Sequence, residues 1–283
     1  MKKLFRLLFF LFMGMFVSFG ALYGYGLYLT RKLPWQHPVF DTVVPADPGA
    51  IGEKGVLIFS KTNGFRHESI EKGIEEIKKA GTARGWHVVS TENGAFFNDD
   101  YLSRFKTVVF LSTTSDVLTP EQEKAFEKYA VNGGGYVGIH SAADTEYDWK
   151  WYDNLLGTHF KNHSIFPHTP EGELTTEVTD HPTTQHLPAK WKRKEEWYNF
   201  NKSVRKSVNF KVLVSVDEKT YDTGETNGMG GDHPISWIHK TGQGRMFYTA
   251  LGHHPETYTD PNAMNHILAA IEWTGKMNEV PVP

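Results

Sequence analysis

The chain has 283 residues, 30 Lys and Arg against 33 Asp and Glu, and no cysteine. With 39% hydrophobic and 22% charged residues the composition is ordinary for a globular protein of roughly one to two domains, which excludes disordered and collagen-like classes. The missing sulfur excludes disulfides, cysteine zinc sites, iron–sulfur clusters and thiol nucleophiles together.

Charge is unevenly placed. Lys2, Lys3, Arg6, Arg31 and Lys32 lie within the first 33 positions with no acid, leaving 25 basic against 33 acidic residues, a net of −8, in the remainder. An acidic globular part argues against a nucleic-acid partner. From Leu7 to Thr30 there are 24 residues without a formal charge, enough to span a bilayer. Residues 1–32 therefore read as a signal anchor. A cleaved signal peptide is the alternative, because Ser18 and Gly20 are small enough to form a cleavage pair. Basic residues ahead of the apolar run favour an inside N-terminus and an exported domain, periplasmic or extracellular, secreted if the segment is removed. The predicted partner of this segment is thus the cell membrane.

Residues 33–54, with Pro34, Pro38, Pro45 and Pro48, read as an extended linker. Residues 55–277 read as one domain and 278–283 as a tail. In chain order, Val56-Leu57-Ile58-Phe59 predicts a buried strand, and Ile70, Ile74 and Ile77 predict a helix over His67 to Ala83. Strands follow at Trp86 to Ser90 and Thr107 to Leu111. Thr119-Pro120-Glu121-Gln122 opens a helix that Gly133-Gly134-Gly135 ends, and Tyr136 to Ile139 is the next strand. This alternation predicts an α/β fold, a parallel sheet with helices on both faces. Beyond Gly157 the pattern turns strand-like, at Gly172 to Val178, Lys194 to Phe200, Phe210 to Val216, His233 to His239 and Gly244 to Leu251, before a last helix at Pro261 to Thr274.

Ligand sites of parallel α/β sheets lie at the carboxyl ends of strands. Three predicted strand ends each deliver a histidine: His67, His140 in His140-Ser141-Ala142-Ala143-Asp144, and His253. Gly138 and Ala142 are small enough to permit a sharp strand-to-helix elbow with His140 at its apex, one residue before Ser141. Glu196 is a candidate buried acid or base, or a solvated strand residue. His163 lies in a loop, at a pocket or exposed, and His233 either reaches the pocket or opens a strand. His181-Pro182 reads as turn chemistry. Trp149, Trp151 and Tyr152 either stack on a sugar or fill the core. A divalent metal such as zinc is a possible cofactor, with His140, His163 and His253 as candidate ligands, although no His-Glu-x-x-His motif is present.

The run Gly133 to Thr145 around His140, then Trp151-Tyr152, Leu155-Leu156-Gly157, Phe160 with His163, Asp180-His181-Pro182, Glu195-Glu196-Trp197-Tyr198, His233-Pro234-Ile235-Ser236-Trp237 and Gly242 to His253, resembles the ThuA-like (trehalose-utilisation) family. The resemblance covers about residues 55 to 275 and implies a flavodoxin-like, class I glutamine-amidotransferase-like fold and an association with sugar metabolism. Amidotransferases of that superfamily carry a cysteine at the elbow, where this chain has His140, so glutaminase activity is excluded. The expected function is an exported enzyme acting on a carbohydrate or keto-sugar, an isomerase, epimerase, lyase or hydrolase. His140, His253 and Glu196 are its expected acid–base groups, and His67, Ser141, Asp144, His163, Tyr198 and His233 its expected ligand contacts. A non-catalytic sugar-binding module and a metal-dependent hydrolase are the alternatives.

Overall fold

The structure, a computed structural model, describes residues 2–29, 33, 35–207 and 209–278. The expected end of the anchor at Arg31 and Lys32, Pro34 of the linker and the tail beyond Asn278 lie outside the described residues. Helix α1 (Lys2–Leu29) is continuous, with large apolar side chains exposed along it. It is long and apolar enough to cross a membrane, a description that a signal sequence also meets.

Residues 35–54 form no helix or strand, but they are fastened to the domain. The Asn63 amide accepts from Val39 N and donates to Val39 O, both at 3.1 Å. The Asp41 carboxylate meets Lys61 Nζ at 2.6 Å and Gly94 N at 2.9 Å. Tyr101 donates its hydroxyl to Pro45 O at 3.1 Å, and Ile51 is buried in the core. From Val39 onward the segment follows the domain surface.

The domain is built on strands β1 (Gly55–Phe59), β2 (His87–Thr91), β3 (Thr107–Leu111) and β4 (Gly135–Ile139), with helices α2 (Ser69–Ala83), α3 (Asp99–Leu102) and α4 (Pro120–Val131) between them. Then come α5 (Lys150–Leu156), β5 (Phe160–Asn162), β6 (Glu171–Thr176), β7 (Lys190–Lys194), β8 (Asn199–Phe200), β9 (Phe210–Asp217), β10 (Pro234–Thr241), β11 (Gly244–Thr249) and α6 (Pro261–Thr274). The main sheet runs β2-β1-β3-β4-β11-β10-β9-β6-β7, and β5 pairs with β8 in a separate ribbon. Pairings from β2 across to β11 are parallel, and those from β11 to β7 antiparallel.

Strands β1, β3 and β4 are buried at every position, as their continuous apolar sequences require of strands covered on both faces. Strand β6 instead alternates buried with more exposed residues. Phe110 and Tyr136 pack with Phe126 of α4 and Tyr152 of α5 on one face, while Phe247 meets His266 of α6 on the other. Thr119 and Gln122 form a reciprocal capping box at the start of α4, with Pro120 in its first turn. Trp149 and Tyr152 stack on each other inside the core, so these aromatics pack the domain.

The strand expected over 194–200 is divided. Strand β7 stops at Lys194 because Glu195 and Glu196 turn inward, both buried, and find side-chain partners in place of ladder bonds. The parallel half ends in helices and loops gathered at the carboxyl ends of β1, β3, β4 and β11.

Glu146 ties one of these loops down. It is 1% exposed, and its Oε1 accepts the N–H groups of Val117 at 2.9 Å and Leu118 at 2.8 Å. Burial raises its pKa to about 8, outweighing those two donors, which lower it. A carboxyl raised in this way takes up a proton on folding. Its contribution to stability is complete below the ordinary value near 4.5 and is lost as pH rises through about 8. Thermal unfolding of the full chain from pH 5 to 9 is expected to show a falling midpoint that Glu146→Gln, which keeps the Oε1 acceptor, flattens. An unchanged pH profile in the variant excludes Glu146 as the source.

Candidate functional site

Histidine 140 follows β4 directly, at the apex of the elbow. Ile139 is extended, and His140 has a φ of 52°, in the left-handed region that non-glycine residues seldom occupy. Two glycines make the turn possible. A Cβ on Gly138 would lie 2.7 Å from the Tyr136 hydroxyl, and one on Gly252, whose φ is 137°, 3.1 Å from His140 Cβ. Tyr248 donates its hydroxyl to His140 O at 2.8 Å.

The loop after β1 brings in His67, and the loop after β11 brings in His253. The Glu195-Glu196-Trp197-Tyr198 segment between β7 and β8 supplies Glu196, and the β5–β6 loop supplies His163 and His168. Donor atoms of His67, His140, Glu196 and His253 all lie within 4.8 Å of one another, as do those of His163, His168 and Glu196. His140 Nδ1 donates to Ala250 O at 2.8 Å, and its Nε2 lies 3.1 Å from His67 Nε2 and 3.3 Å from Glu196 Oε2. His253 Nδ1 is 3.1 Å from the same oxygen. Oε1 of Glu196 faces His163 Nε2 at 3.3 Å and His168 Nε2 at 2.5 Å. His163 Nδ1 donates to Ser164 O at 3.0 Å. Each oxygen of one carboxylate is thus met by two imidazoles.

Electrostatics follow from this enclosure. Burial opposes ionisation of Glu196, yet the close imidazoles of His140, His168 and His253 outweigh it and hold the carboxyl far below the usual carboxylate range. Burial, reinforced by His140, pushes His67 well below its ordinary value. Burial also works against a charged His253, but the adjacent Glu196 carboxylate overcomes it and holds that imidazole above its ordinary value.

Of the residues singled out in the sequence, His67, His140, His253 and Glu196 form the inner group, and His163 the outer one. Ser141 Oγ lies 3.3 Å from His67 Nδ1, behind the cluster. The Tyr198 ring lies over His140, with centroids 4.2 Å apart. Asp144 closes the turn after the elbow and accepts the Tyr147 hydroxyl, outside the ring of donor atoms. His233 is a correction. Its Nε2 lies 2.8 Å from Tyr198 O and its Nδ1 2.9 Å from Glu218 Oε1, so both nitrogens are used behind Tyr198 and none faces the pocket. Hydrogen bonds from His233, Met229 N and Gly231 N, against the opposing effect of burial, hold Glu218 at about 2.

Two residues had no site role assigned from the sequence. His168 follows His163 by five positions around an apolar tip, Ile165-Phe166, and that pairing was its only signal. Glu195 accepts Gly252 N at 3.3 Å and His253 N at 3.2 Å, with Arg193 Nε 3.3 Å from its carboxylate, so it sets the turn that presents His253. A cavity of about 1190 Å³ lies at the opposite edge of the sheet beside Ile51, Lys106 and Gly133, away from every group just described.

The family model for ThuA, described as trehalose utilisation, matches residues 55–274. Among solved structures, a ThuA-like protein from Bacteroides uniformis ATCC 8492 is 25% identical, with 82% of this chain and 95% of that chain covered and a TM-score of 0.67. Another from Parabacteroides merdae ATCC 43184 is 20% identical, with 81% and 93% covered and a TM-score of 0.64. No curated protein matches the chain. The matched span holds the elbow, the Glu195-Glu196 segment and all five clustered histidines, and the chain belongs to the ThuA family.

Proposed function

We propose that this is an exported, membrane-tethered enzyme acting on a carbohydrate, with a divalent cation such as zinc held by His67, His140, His253 and Glu196. The direction of His140 carries the proposal. A carbonyl oxygen can only accept, so the Ala250 contact puts a proton on Nδ1 and turns Nε2 toward His67 Nε2 and Glu196 Oε2. In the neutral ring Nε2 is a lone pair, which a carboxylate repels unless a cation lies between them; in the imidazolium it is an N–H that donates to Glu196, the arrangement of the metal-free reading below. Charge-assisted hydrogen bonds close to about 2.7–2.9 Å. Edges between ligands of a tetrahedral zinc ion, with bonds of about 2.0–2.1 Å, are longer, about 3.3 Å. The contacts of 3.1 and 3.3 Å resemble ligand edges, and Glu196 Oε2 and His253 Nδ1 are buried without an aligned hydrogen-bond partner.

A bound cation would polarise a sugar oxygen or activate water. Tyr198 covers one side of His140 and excludes solvent there, while His163 and His168, the more exposed pair, stand where a sugar would enter and can move protons at Nε2. Proton transfer beside a keto-sugar carbonyl, or hydrolysis, needs only these groups. The family's description supports a carbohydrate as substrate. A second reading, metal-free acid–base catalysis, is favoured by the raised pKa of His253 beside Glu196.

The full-length wild type is expected to retain about one divalent ion per chain after dialysis, and Glu196→Gln or His140→Ala to lose it while circular dichroism shows a retained fold. Metal-free protein with full turnover would favour the acid–base reading. On a panel of sugars and keto-sugars, His140→Ala is expected to lower kcat/KM by about 10²–10⁴-fold. Saturable binding with no product under any metal condition would leave only a sugar-binding module. Intact mass of protein from sedimented membranes is expected to include α1; a mature N-terminus near Ala21 would make α1 a cleaved signal.

A further inference from the structure

We infer that the edge of the sheet bearing the site rests on the surface of the lipid bilayer, so that the substrate is a sugar displayed at that surface. This depends on the proposed retention of α1 as an anchor. Chain length supplies the first reason. Between the last residue of α1, Leu29, and Val39, the first of the described residues bonded to the domain, lie only residues 30–38, which reach at most about 30 Å when fully extended. The attachment point matters as much as the length. Val39 is held by Asn63, in the loop that continues through Phe65 to His67, so the tether leaves the domain at the site. The opposite edge, with its large cavity, is farther along the chain, beside Ile51.

The distribution of exposed apolar side chains is the second reason, and it is independent of the tether. From residue 51 onward, the large apolar side chains exposed among the described residues are Phe65, Val131, Tyr147, Ile165 and Phe166. All but Val131 border the site. The Phe65 ring packs edge-on against His67, and Tyr147 bonds Asp144 after the elbow. Ile165 and Phe166, 58% and 83% exposed, form the tip between His163 and His168. That tip is held outward: both flanking histidines face Glu196, and Glu225 accepts Ile165 N at 2.7 Å. Val39 and Phe40 of the tether extend the same apolar rim.

Charge decides the kind of surface. The domain is net acidic, and at this edge Lys61 is paired with Asp41, and Arg66 with Glu71 and Glu92. Apolar insertion at the headgroup boundary therefore dominates over attraction to anionic lipid.

With no native cysteine, single labels report position cleanly. Full-length Ile165→Cys and Val131→Cys, each carrying an environment-sensitive fluorophore, would be reconstituted in phosphatidylcholine vesicles with and without brominated chains. Quenching is expected to be at least about twofold greater at 165 than at 131, since an interfacial group sits about 5–10 Å into the boundary region. Phe166→Asp in the Ile165→Cys background should abolish the difference while the protein stays with the vesicles. Equal quenching at both positions, or greater quenching at 131, in vesicle-bound protein overturns this inference and leaves the anchor and the site chemistry standing. Full-length protein that does not stay with the vesicles overturns the anchor, and this inference with it.

Discussion

A buried carboxylate needs positive charge around it, and Glu196 is the point on which the rest of this molecule is arranged. At 3% exposure the side chain has given up water at a cost of several kcal/mol, which only close, well-placed partners offset. Five histidines surround it: His140 and His253 at one oxygen, His163 and His168 at the other, and His67 against His140. None of these residues is near Glu196 in the chain. The parallel half of the sheet brings three of them to one edge, and the irregular segment after β7 swings the carboxylate over to meet them.

Keeping that arrangement requires a second layer of polar contacts. Glu195, itself buried beside Arg193, accepts the backbone N–H groups of the turn that carries His253. His233 spans Glu218 and the Tyr198 carbonyl, which holds Tyr198 over His140. Ala250 orients the His140 ring, and Tyr248 holds its backbone. A non-glycine residue in the left-handed region costs about 1–3 kcal/mol and persists where its surroundings over-determine it. His140 meets that condition, and the turn points its imidazole at Glu196.

Much of this was legible in the sequence. The continuous apolar runs of β1, β3 and β4 required burial on both faces, and Thr119-Pro120-Glu121-Gln122 marked the start of α4 because a capping box is local. Strand ends brought His67, His140 and His253 together because the carboxyl ends of parallel strands share one edge. Glu196 was visible as one of two adjacent acids. What separates Glu196 from Glu195 is not local: one faces imidazoles and the other faces backbone amides and an arginine. His168 was invisible for the same reason, since a histidine in a loop declares nothing until the loop folds back over the carboxylate.

By itself, then, the sequence determined the apolar N-terminal helix, the order of β and α segments, the absence of sulfur chemistry and the histidines at the strand ends. Each depends on residue type, short-range periodicity or composition. Tertiary structure alone decided that β7 ends at Lys194, that His233 supports Tyr198 from behind, and that residues 39–54 lie along the domain. It also decided that Glu196 sits among imidazoles from four other segments. Those outcomes depend on which groups share a desolvated space, and long-range packing sets that where spacing along the chain cannot.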